Sequence, residues 1–81
     1  MRYIPKGVCS GAIDVELDGE IIKEVKFIGG CNGNTQGVSR LVEGMNANEA
    51  ISRLRGIRCG FRNTSCPDQL ANALELALKE Q

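Results

Sequence analysis

Histidine and tryptophan are absent from this chain, tyrosine occurs once and phenylalanine twice. Without histidine the commonest general base is missing, and with it every Cys-His or Ser-His pairing, so nucleophilic hydrolysis has little to stand on. The shortage of aromatics leaves the core to aliphatic side chains. No stretch reaches the length of a membrane-spanning helix, and the first residues, MRYIPKGVCSGAIDVELDG, lack the apolar run of a signal peptide. A cytoplasmic location without membrane association is expected. Net charge is missing as well: ten basic residues balance ten acidic ones, so no overall field draws the chain toward nucleic acid. The glycine-rich run FIGGCNGNTQG ends in no Gly-Lys-Ser/Thr, which sets a phosphate-binding loop aside in favour of glycines that turn the backbone around Cys31.

What is present is a chain of 81 residues, one domain near the lower size limit for an unassisted hydrophobic core, and four cysteines, Cys9, Cys31, Cys59 and Cys66. In a reducing compartment four cysteines read as ligands or redox thiols before they read as structural disulfides. None forms a paired Cys-x-x-Cys, so spacing alone names no zinc ribbon or finger.

Ile13, Val15 and Leu17 alternate with Asp14, Glu16 and Asp18, the period of a half-buried strand. Asp18-Gly19 signals a turn, and a three-residue loop from Asp18 to Glu20 predicts Leu17 opposite Ile21 and Ile13 opposite Val25 in a second strand ending at Phe27. Lys23 is the misfit on the inward face of that strand. Tyr3-Ile4 predicts a third strand at the edge, where Pro5 is tolerated. Beyond Cys31 the period becomes helical through Val38, Leu41, Val42 and Met45, with Asn32 and Asn34 as caps. Asn46 and Glu49 resemble a capping pair for a second helix containing Ala47, Ala50, Ile51 and Leu54, stopped by Gly56. The segment from Arg55 to Ser65 reads as a loop, and its arginines, Arg55, Arg58 and Arg62, with Arg53 before them, read as a solvated flank of the site. Pro67 then opens a last helix with the stripe Leu70, Leu74, Ala77 and Leu78, and Glu75 with Lys79 supports its outer face. A small antiparallel sheet of two or three strands followed by three helices is an α+β fold.

All four cysteines fall at the ends of these elements, where side chains from distant sequence can meet while the core stays apolar. Cys31 and Cys66 also stand at helix starts, whose free amides and dipole favour anionic sulfur. With no histidine, a site converging on these residues is mainly thiolate, and soft thiolate sets select zinc, ferrous iron or an iron-sulfur cluster over hard cations.

The segments GVCSGAI, FIGGCNGNTQGVSRLVEGM, GIRCG and NTSCPDQLANAL together resemble the small four-cysteine form of the TSCPD family, whose motif is Thr64 to Asp68 here. The resemblance implies a single domain over residues 1–81, and a link to adenosylcobalamin-dependent ribonucleotide reductases, which carry a related domain at their carboxyl end. The chain has no room for the reductase itself, so that link implies an accessory or regulatory partner in deoxyribonucleotide synthesis. A more distant resemblance is to iron-sulfur cluster scaffolds of the NifU and IscU type, matched by Cys9, Cys31 and Cys66 in order and context. Those scaffolds carry an acid where this chain has Gly11 and a histidine where it has Ser65. Cys59 would then supply a fourth ligand, implying a closed site that holds zinc or a cluster. The expectation is a metal-binding module with metal ligands Cys9, Cys31, Cys59 and Cys66 and a protein partner. Cluster assembly and dithiol redox chemistry at Cys59 and Cys66 remain open beside it.

Overall fold

The computed structural model describes residues 1–8, 10–29 and 32–81, so Cys9, Gly30 and Cys31 lie outside the described residues, and of Asn32 only the backbone is described. Three strands, β1 (Arg2–Tyr3), β2 (Ala12–Asp18) and β3 (Ile21–Ile28), form an antiparallel sheet in the order β1-β2-β3. Three helices follow, α1 (Asn32–Val42), α2 (Ala47–Leu54) and α3 (Cys66–Glu80). The expected α+β class and element order hold, with β1 one residue earlier than Tyr3-Ile4.

The hairpin register differs from the expected one. Asp18 pairs with Ile21 across the two residues Gly19 and Glu20, and Gly19 takes the left-handed backbone (φ 61°) that this tight connection requires. Leu17 lies opposite Ile22, yet Glu16 lies opposite Glu24, so the ladder shifts between them and Lys23 has no partner of its own. Such a β-bulge absorbs one extra residue. It brings Ile22 and Val25 inward together and leaves Lys23 exposed, while Ile21, expected inside, is 43% exposed. The misfit at Lys23 was therefore a register signal: the energy of burying two aliphatic side chains outweighs one regular ladder position.

The core joins Ile13, Val15, Ile22 and Val25 of the sheet to Val42, Ala47 and Ala50, and to Leu70, Ala73, Leu74 and Ala77 of α3. It is aliphatic throughout, with Tyr3 and Phe27 packed only at its margin. On α1 the inward row is Thr35, Val38, Ser39 and Val42, whereas Leu41 is 77% exposed, against the expected stripe. The buried Ser39 hydroxyl is satisfied by donating to the Thr35 carbonyl at 2.8 Å. Asn46 caps α2 by accepting from the Asn48 amide at 2.9 Å, while Glu49 pairs with Arg53 instead of closing a capping box. Glu75 likewise turns away from Lys79 and meets Arg55 at 3.2 Å. Among the described residues no helix is long and apolar enough to cross a membrane.

Candidate functional site

Several side-chain hydrogen bonds gather at the start of α3. Ser65 is its N-cap: the hydroxyl accepts from the Asp68 amide at 3.2 Å and donates to the Ile57 carbonyl at 2.6 Å. The Asp68 carboxylate accepts the Thr64 hydroxyl at 2.5 Å and the Gly56 amide at 2.7 Å. These two bonds, the Thr64 bond first, hold its carboxyl below the usual carboxylate range, with Arg55 adding to them and desolvation opposing. Thr64 and Asp68 thus tie the loop before α3 to the helix start, and Cys66, the first helical residue, sits in the middle of that clamp.

The same loop carries Cys59. Its amide donates to the Thr64 carbonyl at 3.2 Å and its carbonyl accepts from the Arg62 amide at 3.0 Å, which folds residues 59–64 back on themselves. Cys59 is exposed and Cys66 half-buried, and both are free thiols. They line one cleft of about 110 Å³ whose other walls include Val8, Phe27, Val38 and Pro67. Asn34 and Thr35 of α1 border it, as does the charged side chain of Arg62. Ser10, only 4% exposed, places its hydroxyl 3.3 Å from Cys66 Sγ.

Cys59 and Cys66 thus line the same cleft. Cys9 and Cys31 lie outside the described residues, but in sequence Cys9 stands between Val8, which lines the cleft, and Ser10, which touches Cys66. Cys31 stands three residues before Asn34, also at the cleft. Among the described residues no group of three or more ligand-type side chains forms.

A second polar hub joins the amino-terminal segment to the start of α3. The buried Gln69 amide oxygen accepts from the Tyr3 hydroxyl and the Lys6 amide, each at 3.2 Å, and its nitrogen donates to Thr64 Oγ1 at 2.9 Å. Arg62 adds a bond to the Gly7 carbonyl at 3.4 Å. The segment leading to Cys9 is therefore fastened to the clamp around Cys66. Sequence reasoning missed Ser10, Gln69 and the place of Arg62 at the cleft, because their partners lie 55 to 66 residues away. The arginine-rich stretch is largely engaged, Arg53 by Glu49 and Arg55 by Asn72 and Glu75. Gly33 and Gly37 fall within α1, so the glycine run is part helix, and Gly29 (φ 80°) marks its turn.

A family model described as the TSCPD domain matches residues 1–78 of the chain. No curated protein and no solved structure matches it.

Proposed function

The chain belongs to the TSCPD domain family, and from that premise we propose that it is a metal-binding module whose centre is held by Cys9, Cys31, Cys59 and Cys66, with zinc ahead of an iron-sulfur cluster. The observation that carries this reading is the shared cleft: two free thiols, one in the loop before α3 and one at the helix start, line it, Val8 before Cys9 lines it too, and Ser10 after Cys9 touches Cys66. The donor set fits a soft metal, being sulfur without histidine in largely apolar walls. Ser10 suits the outer shell, because a hydroxyl that donates to a ligating sulfur steadies it as an anion. A bound metal would supply folding energy to a small core, about 10 to 16 kcal/mol of apparent binding energy for structural zinc.

Such a module acts through a protein partner in the cytoplasm, and the kinship with reductase-appended domains makes a ribonucleotide reductase the first partner to test. The exposure of Cys59 beside Cys66 favours one second reading, a dithiol that gives two electrons and two protons to an oxidant as the disulfide forms. Metal analysis and visible absorption of protein purified without oxygen separate these readings. About one zinc per chain with no visible bands supports the closed site, and iron with sulfide and visible bands supports a cluster. Metal-free protein whose Cys59 and Cys66 pair on exposure to glutathione disulfide overturns both in favour of the dithiol. Serine at each cysteine in turn then tests convergence, since one closed site loses metal at all four positions.

A further inference from the structure

Val15 gives both of its backbone groups to Met1: its amide donates to the Met1 carbonyl at 2.9 Å and its carbonyl accepts from the terminal ammonium at 3.1 Å. In an antiparallel ladder the residue opposite must then turn its own N–H and C=O the other way. That residue is Val25, and Phe27, opposite Ile13, repeats it two positions on. The outward groups of β3 are closed unevenly. At Ile22 the chain itself pairs with them, through the Met45 carbonyl at 2.9 Å and the Gly44 amide at 2.7 Å. At Val25 the amide donates to Glu43 Oε2 at 3.2 Å, so a carboxylate stands where a neighbouring strand's carbonyl would. The Val25 carbonyl and both groups of Phe27 have no further backbone partner among the described residues.

A groove of about 490 Å³ runs along this open edge, with Gln36, Ser39 and Arg40 of α1 and Glu43 just beyond it as its far wall. Lys26 and Arg40 line it and form no ion pair among the described residues, whereas Glu43 is committed to the Val25 amide. Phe27 and Thr35 line both this groove and the cysteine cleft, so the two are contiguous.

We propose that the groove between the β3 edge and α1 docks an extended, acidic segment of a partner protein, laid as an added strand whose end abuts the cysteine cleft. Unpaired main-chain groups in a row call for main-chain partners, which an extended peptide supplies and a helix, whose own groups are paired, does not. Two cations with no ion pair among the described residues select acidic side chains. With a carboxylate already at the edge, two cations are too few for the phosphate tracking that nucleic acid needs. The proposal supplies the partner surface of the metal module and in that sense rests on it, but peptide binding and metal content are read independently.

The test is an NMR titration of the full chain with the acetylated, amidated pentapeptide Glu-Val-Glu-Val-Glu, against Lys-Val-Lys-Val-Lys, a version of the acidic peptide with proline in place of its central glutamate, and oligothymidylate. The expected result is saturable displacement of the Val25 to Ile28 amides and of Gln36 and Arg40 by the acidic peptide alone. Affinity should fall about tenfold in the Lys26→Glu/Arg40→Glu variant, two exposed charges being reversed. Arg40→Gln, a single change at an exposed position, should weaken binding in the same direction and guards against misfolding of the double variant. Absence of displacement at millimolar peptide, an equal response to the basic or proline-containing peptide, displacement centred on residues 57–63, or the same displacement by oligothymidylate each overturns the proposal. Metal content of the same samples reports on the cysteine centre whatever the peptides do.

Discussion

Replacing Asp68 with asparagine tests whether the clamp at the start of α3 holds the Cys59 loop in place. The wild-type carboxylate receives the Thr64 hydroxyl and the Gly56 amide. Hydrogen bonds to a charged group contribute about 1.5 to 3 kcal/mol each, but this carboxylate is half-exposed and asparagine keeps an acceptor for Gly56, so a net loss of about 1 to 2 kcal/mol follows. For a domain this small that corresponds to about 4 to 16 °C in Tm. The sign of the pH dependence follows from the lowered carboxyl. A depressed folded-state pKa contributes stability that is complete above the unfolded value, near 3.9, and is lost as pH falls through the folded value. The gap between wild type and Asp68→Asn should therefore be full at pH 7 and shrink below about pH 4. Paired thermal melts at the two pH values measure it, and amide exchange at Gly56 should accelerate in the variant. A gap that stays constant into acid, or an unchanged Gly56 exchange rate, would refute the clamp.

Three further outcomes are expected. Leu74→Ala, at a fully buried site, should cost about 2 to 5 kcal/mol, read from the urea midpoint. Lys23→Val should change stability by less than about 0.5 kcal/mol in the same assay, because Lys23 lies at the exposed bulge, and a clear gain would favour the inward register expected from sequence. Ser10→Ala should weaken metal retention about tenfold or more in chelator competition, as loss of an outer-shell hydrogen bond does, with little change in the core.

Much of the architecture was legible because its signals are local. Alternation marked β2, Asn46 and Gly56 bracketed α2, and Pro67 placed α3 within one residue. The failures are equally physical. A period-two reading cannot see a bulge, so it set Ile21 inside in place of Ile22. A hydrophobic stripe on α1 counted Leu41 and overlooked Thr35 and Ser39, since it scores side chains by polarity while burial here follows helix geometry and an internal bond from Ser39. At the site, thiols announce themselves by residue type, and Cys59 and Cys66 do share a cleft. Ser10 and Gln69 carry no comparable mark, because their roles arise only when the amino-terminal segment meets the start of α3.

The buried amide of Gln69 has a consequence for how this protein comes apart. Its oxygen serves Tyr3 and Lys6 and its nitrogen serves Thr64, so detaching either end strands a polar group away from water. Such a penalty discourages half-open states. The amino-terminal segment and the start of α3 should open as one cooperative unit, with a common exchange free energy for the amides on both sides of that glutamine.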